Sequence, residues 1–275
     1  MKKILLPLLL ALLPLSAVAQ TAVDDENDFQ TRVTVGFDKK LSKGLHFSVL
    51  EQFRFKNSST DIDCFLTNLA LSYKINSYLK AGISYALINP YKSSASSFNN
   101  PRHRFAADLT GSIKTGDWTF SLRERFQVTH RSGDFNEYQT AANAMVLKSR
   151  LSAKYRGFDG FKPYGFLELR NTLNAPAISA TYSASTDKYL TSAGAEEGEA
   201  GWFISGWNNM YINRYRLGLG CDFELAPQHE LDVFLYTDYY TDKSVDANGS
   251  GTRLKSYTIQ HGFNAVLGVG YTFSF

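Results

Sequence analysis

Apolar and polar residues alternate along nearly the whole chain after its first two dozen residues, and this period of two limits the fold more than any other feature. In FQTRVTVGF, residues 29–37, phenylalanine, threonine and valine occupy the odd positions, and polar residues or glycine occupy the even ones. Strands place successive side chains on opposite faces, whereas the spacing of 3.6 residues that marks helices does not recur here. The pattern predicts an all-β chain of amphipathic strands.

The connections between the predicted strands alternate between short and long. The short ones fall at residues 38–44, 76–77, 115–117, 157–162 and 226–229. The long ones fall at residues 56–62, 89–101, 131–144, 172–208 and 240–256. Strands joined in this way pair as antiparallel hairpins, and turns that differ in length at the two ends are typical of a membrane β-barrel.

Two architectures bury one face of such hairpins. A soluble sandwich or lipocalin-like barrel places the apolar face inside, whereas a transmembrane barrel places it outside against lipid. The polar faces here are crowded with charges, which suits a closed lumen in which opposite charges pair. Aromatic side chains stand where strands meet the short turns, as a membrane interface requires: Phe37, Tyr73, Trp118, Tyr155 and Phe223. We therefore expect an antiparallel transmembrane β-barrel, with a soluble periplasmic binding barrel as the alternative.

The number of strands conflicts with this topology. The alternating segments number about eleven, and with external long loops both the first and the last strand run towards the periplasm. An even barrel needs both termini on the periplasmic side. We therefore predict twelve strands, with ten as the next choice.

The segment MKKILLPLLLALLPLSAVAQ at the start of the chain predicts export. It has two lysines, an apolar run and small residues at positions 17 and 19, as in a secretory signal peptide. We expect residues 1–19 to be removed and residues 20–275 to form one domain in the outer membrane of a Gram-negative bacterium.

The chain ends with aromatic residues spaced two apart, namely Tyr271, Phe273 and Phe275. This ending resembles the carboxy-terminal signal of outer-membrane barrels. An extended strand with one apolar face can pair with the sheet edge of the machinery that assembles such barrels. Outer-membrane lipid and this machinery are therefore the expected partners.

Composition argues against several other classes. The formal charge of +3 falls to +1 without Lys2 and Lys3, which is too balanced for a surface that binds nucleic acid. No apolar run after the signal segment is long enough for a transmembrane helix. Metal-ligand spacings and phosphate loops are absent, so we expect no metal and no cofactor. Cys64 and Cys221 would point to opposite faces, and we expect no disulfide between them.

Charged residues concentrate on the faces predicted to line the lumen. The basic ones are Arg102, Arg104, Arg123, Arg125, Lys148, Arg150, Arg156, Arg214 and Arg216, and the acidic ones are Asp222, Glu224, Glu230, Asp232 and Asp238. In a water-filled pore, a basic wall opposite an acidic wall favours anionic solutes along the arginines. If side chains fill the interior, the same charges form a buried salt-bridge network. Both interpretations stay open.

Two glutamates do not fit the simple pattern. FSVLEQF and FSLRERF share a spacing that places Glu51 and Glu124 on the apolar face near mid-strand, where a carboxylate is costly. A β-bulge would turn them inward, where Glu124 would find Arg125 or Arg104. Alternatively, the two residues lie close to a membrane interface.

The most direct function for such a chain is non-enzymatic: a narrow, porin-like channel for small anions or acidic oligosaccharides, or a structural or surface-binding protein. An outer-membrane lipid hydrolase is the alternative, since THRSGDFNE brings His130, Ser132 and Glu137 together near the external end of a strand. The loop predicted at 172–208 carries an aromatic group at positions 202, 203 and 207, which a ligand could contact.

Five further stretches are informative together: FDKKLSKGLHFSVLEQFRFKN, YKINSYLKAGISY, SLRERFQ, NRYRLGLGCDFEL and the ending VGYTFSF. They resemble a family of uncharacterised outer-membrane proteins from Bacteroidetes-type bacteria, domain of unknown function 2490. Together they run from about Phe29 to Phe275, with an apparent insertion near residues 175–208. Cys221 stands where this family is expected to have tyrosine. The resemblance implies an outer-membrane barrel and supplies no activity.

Overall fold

The computed structural model describes residues 26–133, 136, 139–180, 182–183, 188–189, 202–247 and 254–275. The predicted signal peptide lies outside these residues. Eleven long strands form one closed barrel: β1 (Glu26–Ser42), β2 (Leu45–Lys56), β3 (Asp61–Lys74), β4 (Leu79–Lys92), β5 (Arg102–Thr115), β6 (Trp118–Arg131), β7 (Asn143–Tyr155), β8 (Phe161–Ala180), β9 (Trp202–Ala226), β10 (His229–Ala247) and β11 (Leu254–Ser274). The prediction of an all-β barrel is confirmed.

Within the residues that the structure describes, the remaining regular structure is minor. A two-residue strand, Ser97–Phe98, pairs with β4 after a single 3₁₀ turn at Ser93–Ala95. Another two-residue pair joins Tyr182–Ser183 to Lys188–Tyr189. Over the described residues, no helix has both the length and the apolar character needed to cross a bilayer.

The barrel closes through a parallel pair of strands. Each strand from β1 to β11 pairs antiparallel with the next one along the chain. The seam is different, because β1 runs in the same direction as β11, with Val33 opposite Val269. The closed barrel therefore has eleven strands where twelve were predicted, with the two-residue strand Ser97–Phe98 outside it, and its pairing is antiparallel except at this seam. With eleven strands that alternate in direction, the first and the last strand run the same way. They pair in parallel, so the barrel closes without a further strand.

The two ends of the barrel differ. One end, the short-turn end, has the connections at residues 43–44, 75–78, 116–117, 156–160 and 227–228. At the first of these turns Gly44 has a φ of 82°, a conformation that side chains with a Cβ rarely adopt. The opposite end, the long-loop end, has the connections at 57–60, 93–101, 132–142, 181–201 and 248–253.

All five predicted long connections are shorter in the structure, and the difference is largest at 172–208 and 240–256. Residues 57–60 form a four-residue turn, and β8 to β11 continue well into the segments predicted as loops at 172–208 and 240–256. The strands β2 to β7 have 12 to 14 residues, whereas β8 to β11 have 19 to 25. For the segment 172–208, register shifts in β9 between Ile204 and Arg214 explain the error, because each shift interrupts the period of two.

The two faces of the sheet have opposite character. Apolar side chains on the outward face are largely exposed, such as Ile83 at 62% and Leu217 at 52%. Inward-facing polar groups are deeply buried, such as Asp238 at 1% and Glu168 at 3%. Small apolar clusters also occupy the interior, including one in which Phe166 and Tyr236 pack with the fully buried Val266.

Candidate functional site in the barrel interior

The inward-facing charges contact one another across strands that are not neighbours. Arg123 on β6 reaches Glu168 on β8, and Lys154 on β7 reaches Asp222 on β9. On the other side of the seam, the guanidinium of Arg32 on β1 lies 5.2 Å from the ring centre of Tyr236 on β10. Side chains from strands that are not neighbours come this close on the concave face of a curved sheet. These side chains therefore occupy the space enclosed by the barrel.

A row of four cations runs across four consecutive strands. Pairwise register places Arg125 opposite Lys148, Lys148 opposite Arg170, and Arg170 opposite Arg214. We call these four residues the cation row. Neighbouring strands lie about 4.8 Å apart, so the row stacks like charges at close spacing. It ends on Asp108, which Arg125 contacts through Nε at 2.5 Å and Nη2 at 2.9 Å.

A second row, one inward-facing position closer to the short turns, contains both signs of charge. Each of its residues lies opposite the next one on the neighbouring strand, and we call it the mixed row: Arg123, Arg150, Glu168, Arg216 and Asp238. Glu168 accepts hydrogen bonds from Arg150 Nε at 2.6 Å, Arg216 Nη1 at 3.1 Å and Arg123 Nη2 at 3.3 Å. Asp238 accepts a bidentate pair from Arg216, at 2.6 and 2.9 Å. These two carboxylates hold the arginines of several strands together.

The carboxylates do not balance the cations in this part of the interior. Among the described residues, neither Lys148 nor Arg170 forms a salt bridge, and Arg170 Nε is a buried donor without a hydrogen-bond partner. Across the barrel, Arg32 lies directly opposite Arg54, and Arg32 Nε is also buried and unpaired. The middle of the barrel therefore carries an excess of positive charge.

Two adjoining cavities lie between these rows and the short-turn end. The larger has a volume of about 570 Å³ and the smaller about 380 Å³. They share four lining residues, Ser121, Arg150, Ser152 and Lys154. Hydroxyl groups and basic side chains thus form the boundary between the two cavities.

The predicted acidic residues do not all face the predicted basic wall. Asp222, Glu224, Glu230 and Asp232 lie within a few residues of the turn at 227–228, and only Asp238 reaches the mixed row. Asp222 contacts Lys154, Glu224 contacts Lys162, and Asp232 accepts a hydrogen bond from Tyr164 Oη at 2.8 Å. The charges are therefore separated along the strands as well as across the barrel.

The other predicted basic residues lie towards the two ends. Arg102 stands opposite Arg131 at the long-loop end, and Arg104 donates from Nε to Thr129 Oγ1 at 3.2 Å. Arg156, just after β7, lines the smaller cavity. Sequence reasoning did not include Arg32, Arg54, Glu168 and Arg170 among the site residues. Each nevertheless alternates in phase with the polar face of its strand, as in QTRVT at 30–34, QFR at 52–54 and FLELR at 166–170.

Inward-facing glycines make room for aromatic rings from the next strand. A Cβ on Gly268 would lie 2.0 Å from Phe234 Cζ, and one on Gly220 would lie 2.4 Å from Tyr164 Cζ. The absence of a side chain at Gly220 and Gly268 thus leaves room for the rings of Tyr164 and Phe234. These rings and glycines lie on the side of the barrel formed by β8 to β11.

A protein family of unknown function, DUF2490, has a model that matches residues 29–248. The chain belongs to the DUF2490 family. The match begins within β1 and ends after β10, so the ending VGYTFSF lies beyond it. No curated protein matches the sequence. The family description supplies no activity, and the function of this DUF2490 barrel has to be inferred from its geometry.

The two unusual glutamates of this DUF2490 barrel face outward. Glu51 accepts a hydrogen bond from Thr67 Oγ1 at 2.9 Å, and Glu124 accepts one from Ser149 Oγ at 2.7 Å. Each hydroxyl comes from the directly opposite residue of the next strand, and the register is continuous through both positions. The proposed bulge that would turn them inward is therefore absent, and neither reaches Arg125 or Arg104. The repeated sequence motif corresponds to a repeated carboxylate–hydroxyl pair.

The predicted hydrolase residues are not assembled in the described part of the chain. His130 Nδ1 lies 2.9 Å from Asn143 Oδ1, and the backbone N–H of Ser132 donates to the carbonyl of Pro101. Glu137 lies outside the described residues. The side chains of Trp202 and Phe203 are likewise outside them, whereas Trp207 lies within β9.

The aromatic ending of this DUF2490 chain is fixed against the first strand and the last short turn. Phe275 donates its N–H to the carbonyl of Asp38, and its own carbonyl accepts from Lys40. Tyr271 Oη lies 2.6 Å from His229 Nδ1, and the ring of Phe273 is 5.0 Å from that imidazole. The ending therefore belongs to the parallel seam.

Proposed function

We propose that this chain is a non-enzymatic outer-membrane β-barrel whose interior admits small anions. The cation row carries the proposal, because four neighbouring strands each direct a basic side chain into the interior at the same register. Export through residues 1–19 and assembly through Tyr271, Phe273 and Phe275 belong to the same proposal, as does a location in a Gram-negative outer membrane.

The outward face supports a membrane location. Leucine, isoleucine, valine and phenylalanine side chains are exposed on strand after strand around the barrel. Continuous apolar surface of this extent is unfavourable in water and is what a lipid-facing band requires. A shallow outward groove is almost wholly apolar and suits a lipid chain; its lining includes Phe47, Leu71, Ile83, Phe105 and Phe126.

The interior supports selectivity for anions. Adjacent like charges repel one another, and an anion near the cation row relieves this repulsion. The low-dielectric wall of the barrel strengthens the effect, because field lines are confined to the lumen. A cation entering the same region meets the excess charge of Lys148 and Arg170. The permeant ion is therefore expected to be negative.

Planar bilayers test the proposal directly. The purified full chain should form channels whose reversal potential in a KCl gradient reports preference for chloride. The variant with Lys148→Gln and Arg170→Gln should lose at least half of that preference, whereas Lys92→Gln, at an exposed position outside the row, should retain it. A folded wild-type protein that forms no channels, or a double variant with unchanged selectivity, would overturn anion conduction.

One observation favours a second candidate, a non-conducting structural or surface-binding barrel. The mixed row and its surroundings fill part of the interior, since Glu168, Asp238 and Val266 are 3%, 1% and 0% exposed. In that case the arginines and carboxylates form a rigid internal brace. Folded wild-type protein without conductance is the result expected of this candidate.

A further inference from the structure

Two serines face each other beside the arginines of the mixed row. Ser121 on β6 lies opposite Ser152 on β7, and their Oγ atoms are 2.7 Å apart. Arg123 and Arg150 are the next inward-facing residues towards the long-loop end, and Lys154 is the next one on β7 towards the short turns. All five side chains line the larger cavity. We call them the serine–arginine site.

We propose that the serine–arginine site binds a small oxyanion, namely inorganic phosphate or the phosphate or carboxylate group of a small solute. The inference deepens the proposed function and rests on it for the route by which the anion enters. It names the class of anion that the barrel recognises, whereas the cation row distinguishes only negative from positive solutes.

The site has donors left over after its internal contacts are made. If one serine hydroxyl donates to the other, the second hydroxyl proton is free to donate into the cavity. Arg123 Nε is buried without a hydrogen-bond partner. Arg150 uses Nε to bind Glu168, and the rest of its guanidinium carries further N–H groups. Hydroxyl and guanidinium donors of this kind match the oxygens of phosphate and carboxylate.

The carboxylates around the site are already engaged. Glu168 accepts from three arginines, and Asp222 contacts Lys154. Among the residues that line the larger cavity, the carboxylates are Asp38, which contacts His46, and Asp108, which contacts Arg125. Because Lys80 and Arg125 also line this cavity, its cations outnumber its carboxylates. An incoming oxyanion would thus meet donors whose charge is incompletely neutralised.

Geometry favours an oxyanion over a halide. A halide gains from positive charge but has no separate acceptor atoms, whereas an oxyanion offers several oxygens to hydroxyl and guanidinium donors at once. The volume of about 570 Å³ also exceeds the needs of a bare ion and leaves room for a small organic group. The serines are then the feature that separates phosphate from chloride.

Calorimetric titration of inorganic phosphate into the detergent-solubilised full chain tests this inference without requiring conduction. The variant with Ser121→Ala and Ser152→Ala should bind phosphate at least tenfold more weakly than wild type. Ser149→Ala is the matched control, because it removes a serine hydroxyl from the outward face of the same strand and should leave the affinity unchanged. Equal affinity in the double-serine variant, or no saturable binding to wild type, would overturn the site.

Two further results separate this inference from the proposed function. In bilayers, the double-serine variant should keep the wild-type preference for chloride over potassium, because the cation row is intact. Arg123→Lys keeps the charge but removes Nε and the planar guanidinium, so it should also weaken phosphate binding about tenfold. This variant tests the site if the double-serine variant does not fold. Serine-dependent phosphate binding by a protein without conductance would refute the channel and leave the site standing.

Discussion

Glu26, the first residue of β1, lies opposite Gly262 of β11, and the two strands run in the same direction. The start of the barrel therefore lies at the long-loop end, whereas Phe275 lies at the short-turn end. In a barrel with an even number of antiparallel strands, both would lie at the same end. The parallel seam thus separates the two ends of the domain across the proposed membrane.

Thiol labelling of intact cells tests this topology. In a background without Cys64 and Cys221, Asn27→Cys at the long-loop end should react with a membrane-impermeant maleimide. Asp159→Cys, in an exposed turn at the other end, should react only after the outer membrane is permeabilised. Equal access to both positions in intact cells would contradict the proposed orientation.

Loss of the central carboxylate should destabilise the barrel. Glu168→Gln removes the charge that Arg123, Arg150 and Arg216 share. It leaves Arg123 and Arg150 without a carboxylate partner, whereas Arg216 keeps Asp238. The expected cost is about 3–5 kcal/mol, measured as the free energy of unfolding in lipid. The control is Asp63→Asn, which breaks a solvent-accessible pair with Lys56 and should cost about 0–1 kcal/mol. Comparable losses in both variants would show that the mixed row does not brace the barrel.

The outward carboxylate–hydroxyl pairs should be unfavourable in lipid. Replacing Glu124 and Ser149 together by leucine and alanine removes polar groups from an apolar face, so it should stabilise the folded barrel by on the order of 1 kcal/mol in lipid. Unfolding with urea in phospholipid vesicles measures this change. A destabilised variant would mean that this face is not in contact with hydrocarbon.

Substitution of Gly268, which packs against the ring of Phe234, should destabilise the barrel. Gly268→Ala would place a Cβ 2.0 Å from Phe234 Cζ, so the ring must move, at a cost of about 1–3 kcal/mol in unfolding free energy. Gly111→Ala is the matched control, since a Cβ there meets nothing within 4 Å. Identical stability of the two variants would indicate that the ring of Phe234 is not held against the wall.

The early strands could be predicted because their alternation is nearly continuous. From Thr31 to Tyr85, hairpin partners follow one another with few register shifts, so the face of each side chain follows from its position alone. The segment 172–208 could not be predicted in this way. Four register shifts between Ile204 and Arg214 disturb the phase of β9, and the period of two is lost where the strand continues.

The candidate site was predictable only in part, for a different reason. Alternation assigns Arg123, Arg150 and Ser152 to one face, but it does not say which residues lie opposite one another. That requires the register between strands, which depends on turn lengths and on the shear of the closed barrel. The convergence of three arginines on Glu168, and the pairing of Ser121 with Ser152, became visible only once that register was known.

Unequal strand lengths give the barrel an oblique rim. With a rise of about 3.3 Å per residue and a tilt near 40°, the 12 residues of β2 reach about 30 Å and the 25 residues of β9 reach about 60 Å. In a bilayer, the side of the barrel with the short strands would end near the headgroups. The side with the long strands would extend beyond the headgroups into the solvent. A solute would then enter the barrel at its long-loop end from the side where the strands are short.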